Sequence, residues 1–181
     1  FHDQPGKVTF VDTTVAKEGR ASLRFENFGQ YPHGHGRVMS EPKLYEIWQR
    51  QTELIQQHLA PRRWLLSMDE IRAGGSCEAC RSRQLSMAEI LGDCLKSQYQ
   101  MIRRANPKAE VFVWSDTLDP NHNARANYYL VEGDYTGSWK HVPKDLRVVC
   151  WYFDKRRESL AHFSRLGFQT LAGAYHDGDT L

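Results

Sequence analysis

The residues best equipped for chemistry sit at the ends of short apolar runs. Trp64-Leu-Leu-Ser-Met68 stops at Asp69-Glu70, with Arg72 two positions on. Val111-Phe-Val-Trp114 leads to Asp116 and Asp119, Val148-Val-Cys-Trp151 to Tyr152 and Asp154, and Thr170-Leu-Ala-Gly173 to Tyr175, His176 and Asp177. Adjacent carboxylates where a buried strand ends suit general acid–base chemistry. Glu70 and Asp69 are the candidate catalytic pair, and Asp116, Asp119, Asp154 or Asp177 can supply a further carboxylate. Neighbours on a strand face opposite ways, so Asp69 and Glu70 share a site only where the backbone turns. The alternative is that one of them pairs with Arg72 and the other caps a loop.

Trp114, Trp151, Tyr152 and Tyr175 offer flat apolar faces on which a pyranose ring can stack, although core packing explains Trp114 equally well. Arg72, Asp116, Asp119, His122, His176 and Asp177 complete the candidate substrate-binding set. Asp116, Asp119, His122, His176 and Asp177 could instead converge on a divalent ion that activates water. Against that rival, no pair of histidines has the tight spacing that one strand or helix would use. Cys77-Glu-Ala-Cys80 is half a zinc site by spacing and lacks a second pair, which leaves a local disulfide or two free thiols. Pro32-His33-Gly34-His35-Gly36 has no acidic or cysteine neighbours and is read as a turn. No metal and no cofactor is therefore assigned.

The elements that must position these residues follow from periodicity. Ser40 and Pro42 mark a helix start, Leu44, Ile47, Trp48, Gln51, Leu54, Ile55 and Leu59 trace one face, and Pro61 ends it. A strand over 64–68 and a loop over 72–84 come next. Ser86-Met-Ala-Glu89 is a capping box opening a second helix that Asn106-Pro107 stops. Further strands are predicted at 110–114, 146–151 and 169–174, with a helix near 156–166 closed by Gly167. Residues 124–145, interrupted by Gly133, Gly137 and Pro143, hold no long element. Upstream, residues 7–12 and 21–27 alternate as half-buried antiparallel strands do.

Repeated βα units predict an α/β fold with a parallel sheet. Gly74-Gly75 lacks the third glycine and the immediate helix of a dinucleotide-binding turn. A full barrel takes about 250 residues. The expectation is therefore part of a (β/α)8 barrel, about four βα units over 40–181, preceded by a short antiparallel β segment over 1–39 that resembles part of a β-sandwich. The chain starts at Phe1 in mid-pattern and is expected to be a piece of a longer protein.

With 24 basic and 22 acidic side chains, the net charge of +2 gives no electrostatic case for nucleic acid. No run approaches the ~20 apolar residues of a membrane span. Four cysteines are too few for a disulfide scaffold, and Cys94 and Cys150 sit in apolar runs as inert core residues. Across open sheet edges the expected partner is the missing barrel half or a second copy.

A buried strand ending in Asp69-Glu70, later strands ending in Trp114-Ser-Asp116 and Trp151-Tyr152, and a sandwich-like segment upstream resemble the hexosaminidase-type glycoside hydrolases of family 20 and their uncharacterised barrel relatives. The run Val113-Trp-Ser-Asp-Thr-Leu-Asp-Pro-Asn-His-Asn123, with Tyr128-Tyr-Leu-Val-Glu-Gly-Asp134 and Gly137-Ser-Trp139, is more similar to those relatives. The resemblance implies a carbohydrate substrate, with Glu70 protonating the leaving glycosidic oxygen and Asp69 orienting a substrate acetamido group that acts as internal nucleophile. Leu65-Leu-Ser-Met68 stands here in place of the family's His-x-Gly-Gly. A non-catalytic carbohydrate-binding module is the alternative from outside the enzymes.

Overall fold

The computed structural model describes residues 7–12, 22–26, 39–66, 68–71, 77–128 and 133–173. Arg72, Tyr175, His176, Asp177, the Gly74-Gly75 pair and the His33/His35 turn lie outside the described residues. At the start, β1 (Lys7–Asp12) pairs antiparallel with β2 (Ser22–Glu26), with an irregularity between Thr9 and Asp12.

The remainder is an α/β unit built on four parallel strands. β3 (Arg63–Leu65), β4 (Glu110–Trp114), β5 (Arg147–Cys150) and β6 (Gln169–Ala172) lie side by side in chain order. Leu65 pairs with Phe112, Phe112 with Arg147, and Arg147 with Gln169. Parallel neighbours need crossovers. α3 (Met87–Ala105) supplies the first and α4 (Arg156–Arg165) the third, while loops and short 3-10 turns span 115–146.

Local chemistry explains the helix ends. Ser86 Oγ accepts the Glu89 N–H at 3.2 Å and Glu89 Oε2 accepts the Ser86 N–H at 2.9 Å, so the predicted capping box forms. Gly167 takes the left-handed conformation (φ 84°) that ends α4. α1 (Pro42–Leu59) starts on Pro42, yet its cap is Glu41 without a side-chain bond, and Ser40 Oγ instead accepts from Arg83. Within the predicted loop, Glu78–Arg81 form a single turn, α2. Ile47 and Leu59 are exposed, and the inner side of α1 is Tyr45, Trp48 and Thr52.

Alternation along the strands sorts the two sheet faces. Val111, Val113, Val148 and Cys150 point into one core with Ile90, Leu91, Cys94, Leu95 and Ile102 of α3 and Phe163 of α4. Gly92 permits this packing, because a Cβ there would lie 2.2 Å from His141 Cβ. The other face carries Leu65, Phe112, Trp114, Val149 and Leu171, none of them buried; Leu65 is 52% and Leu171 42% exposed. At its lower end Glu110 bridges Arg63 (2.9 Å) and Arg147 (2.8 Å).

β3 is shorter than predicted, since Leu66 makes the last ladder bond, to Phe112 O at 2.9 Å, and Met68 already has φ 64°. Cys77 and Cys80 are free thiols, and Cys80 is a buried core residue. Burial raises the thiol pKa of Cys94 to about 11 and of Cys150 to about 12, so both stay protonated. No helix among the described residues is long and apolar enough to cross a membrane.

Candidate functional site

The carboxyl ends of β3, β4 and β5 converge on Asp116. After β3 the backbone leaves the sheet through two left-handed residues, Met68 (φ 64°) and Glu70 (φ 51°), with the exposed Asp69 between them. Non-glycine residues at positive φ are uncommon and persist where neighbours hold them. Here both are held from β4. Thr117 Oγ1 donates to Met68 O at 3.1 Å, and the Glu70 N–H donates to Asp116 Oδ2 at 2.6 Å. Ile71, buried, anchors the far side of the turn. The turned backbone meets the condition for Asp69 and Glu70 to stand at one edge of the sheet.

Asp116 opens a 3-10 turn, Asp116–Leu118, directly after β4, and no part of it reaches solvent. Its Oδ2 also accepts from Asn123 Nδ2 at 3.3 Å, and its main-chain oxygen takes the Asn123 N–H at 3.0 Å. Burial pushes its carboxyl pKa up to about 6; the nearby Asp69 charge adds to the rise, and the Glu70 N–H, Asn123 and the Trp151 indole oppose it. Asp116 Oδ1 and Trp151 Nε1 are both buried and make no hydrogen bond among the described residues.

Beside this centre stands an aromatic group. The His122 ring lies parallel to Tyr152 at 4.5 Å and edge-on to Trp151 at 4.6 Å and Tyr128 at 6.0 Å. His122 is only 6% exposed, and burial, helped by Arg125, lowers its pKa to about 4, so the ring is neutral at physiological pH. The Tyr152 hydroxyl faces that of Tyr128, a contact that raises the Tyr152 pKa. Trp114 lies half-buried on the open sheet face, where it and Trp151 flank Gly173; a Cβ on Gly173 would come within 3.3 Å of Trp114 and 3.0 Å of Trp151.

Asp119 is placed differently. It is buried, its Oδ1 accepts the N–H and side-chain amide of Asn121, and Ser159 and His162 of α4 are close enough to act on its carboxyl, although Asp119 Oδ2 and Ser159 Oγ make no hydrogen bond among the described residues. Burial raises its pKa, and the contact reads as a tie between the β4 loop and α4. Of the metal reading, Asp116, Asp119 and His122 do not form an ion-holding group, since among the described residues no three His, Cys, Asp or Glu side chains are so grouped; His176 and Asp177 lie outside the described residues. Cys77 and Cys80 join no such group either. A cavity of about 440 Å³ lined by Arg62, Arg63 and Glu110 opens at the amino ends of the strands, away from all of these residues.

Compared with models of known protein families and with curated proteins, the chain matches none.

Arg125 is not singled out by sequence, and Asn123 and Tyr128 enter it only inside longer runs. Asn123, Arg125 and Tyr128 lie in a loop without apolar period, where only their type and their closeness to a strand end hint at a role. The loop is shaped by Asn127 at φ 49°, whose N–H donates to Gly133 O at 2.9 Å. Chemically, the edge holds one exposed carboxylate, one half-buried carboxylate, a buried carboxyl with a pKa near neutrality, and a wall of aromatic rings.

Proposed function

We propose that this edge binds carbohydrate and cleaves a glycosidic bond, with Glu70 as the general acid and Asp69 as the carboxylate that stabilises the reacting sugar or orients its acetamido group. The observation that carries the proposal is the bond from the Glu70 N–H to the buried Asp116 carboxylate. A left-handed glutamate tied to a buried aspartate is an expensive local arrangement, and such arrangements cluster at functional sites. Asp116 is then a positioning residue, fixing the backbone from which Asp69 and Glu70 project. Trp151 and Tyr152 give the sugar an apolar surface beside the carboxylates.

The same proposal extends to a partial (β/α)8 barrel. Parallel sheets are normally covered on both faces. Helical residues share the core of one face, while the other keeps Leu65, Phe112, Trp114, Val149 and Leu171 partly open, as the inner surface of an unclosed barrel would. In barrels the carboxyl ends of the strands carry the active site, which is where Asp69, Asp116, Trp151 and Tyr152 stand.

A panel of aryl glycosides, with and without an acetamido group, tests the function. Glu70→Gln should abolish turnover while sugar binding persists, because the amide keeps the shape and cannot transfer a proton. Asp69→Asn should hurt most on acetamido substrates. Unchanged turnover in Glu70→Gln overturns the assignment, and sugar binding without turnover by any form favours a binding module.

A further inference from the structure

We infer that the sugar taken by this edge carries an anionic group, a uronate carboxylate or a sulfate ester, and that Arg125 is the residue that receives it. The inference rests on the carbohydrate reading above and gives it a substrate class.

Arg125 follows the buried His122-Asn123-Ala124 segment, whose Asn123 touches Asp116, so its backbone is fixed to the same centre as Glu70. Its guanidinium lies 3.8 Å from the centroid of the Tyr128 ring. A stacked guanidinium uses its flat face on the ring and keeps its N–H edge for a two-pronged bond to a planar or tetrahedral oxyanion. Arg125 is exposed, and no ion pair among the described residues engages it. An exposed arginine ordinarily loses much side-chain freedom on binding; stacking on Tyr128 removes part of that loss beforehand.

Its surroundings suit an anion. His122 is neutral, and its charge state and that of Tyr152 both register the Arg125 charge. The exposed Asp154 also acts on Tyr152, with a sign opposite to that of Arg125. The Glu70 N–H and the Asn123 side chain meet on the same oxygen of Asp116, so the turn that carries Asp69 and Glu70 and the loop that carries Arg125 border one centre. A substrate spanning the edge would therefore present its glycosidic oxygen to the carboxylates and its acidic group to Arg125, a polarity that a neutral sugar does not need. Trp151 lies beside Asp116, and Tyr152 beside His122 and Tyr128.

Calorimetric titration of the whole chain with matched trios tests this: a methyl glucoside, the methyl glucuronide and the glucoside sulfate ester, with the galacto series alongside. One anionic member should bind at least about tenfold more tightly than its neutral counterpart, the scale of a hydrogen-bonded charge pair. Which member gains identifies carboxylate or sulfate. Arg125→Gln should erase the difference and leave neutral-sugar affinity unchanged, and Arg125→Lys should keep part of it. Equal affinity across each trio, or a uniform loss in Arg125→Gln, overturns the anionic subsite while leaving the carbohydrate reading intact. Failure of every sugar to bind overturns both.

Discussion

Asp116 is the residue on which the candidate site turns, and its ionisation has a sign that can be measured. The folded chain holds the Asp116 proton up to about pH 6 against an ordinary value of 3.8. The contribution of this group to stability is therefore greatest at and below about pH 4, falls as pH rises through 4 to 6, and stays low above that. The difference corresponds to roughly 2–3 kcal/mol. Asp116→Asn keeps an oxygen for the Glu70 N–H and carries no charge. Denaturant titration should find the variant equal to the parent near pH 4 and more stable by up to about 2–3 kcal/mol at pH 7.5. A pH-independent difference between the two would contradict the buried-charge account. Opposing titrations, such as those of His122 and His162, cancel in this comparison.

The turn after β3 gives a second forecast, at the scale of the element. A left-handed non-glycine residue costs about 1 kcal/mol or more, so Glu70→Gly should stabilise the chain by up to about 1 kcal/mol while removing turnover. Loss of stability instead would mean that the Glu70 side chain contributes more to folding than to the site. On α3, Gly92→Ala drives a methyl against His141, and overpacking of this kind lowers stability by about 1–3 kcal/mol. An unchanged melting temperature would show that the 138–141 turn yields freely.

These elements also show what the sequence made legible. Caps and punctuation were readable because they act locally: Ser86 with Glu89, Pro42, Pro61 and Gly167 all mark true boundaries. The four strands were readable from apolar runs. The inner face of α1 was readable in part: Trp48 packs on the core and Leu44, Gln51, Leu54 and Ile55 are half-buried, but Ile47 and Leu59 fit the period and face solvent, whereas Thr52 is buried. Period says which residues share a face, and only tertiary packing says which face turns inward. Asp116 and Asp119 illustrate the same limit. Both follow β4 and both are buried, yet one reaches across to Glu70 and the other turns to α4.

For the molecule as a whole, the sheet face that is partly exposed among the described residues is the feature with the largest consequence. Exposed apolar residues flanked by strand edges invite association. Leu65 and Leu171 lie on the outer strands of that face, so the chain alone should self-associate, and Leu65→Lys with Leu171→Lys should reduce association without unfolding it. Sedimentation velocity of parent and double variant checks this. A monodisperse parent at micromolar concentration would argue against an unclosed barrel. Such a result would also shift weight toward a self-sufficient four-stranded unit, in which the open face is accommodated by its own half-buried rings.

The central claim is that Glu70, held by Asp116 at the carboxyl edge of a parallel sheet, transfers a proton to a glycosidic oxygen. The most direct measurement is the turnover of aryl glycosides by Glu70→Gln beside the parent, with sugar affinity measured on the same samples. The expected result is a loss of about a hundredfold or more in kcat, with affinity within about twofold of the parent. Turnover in Glu70→Gln equal to that of the parent would contradict it.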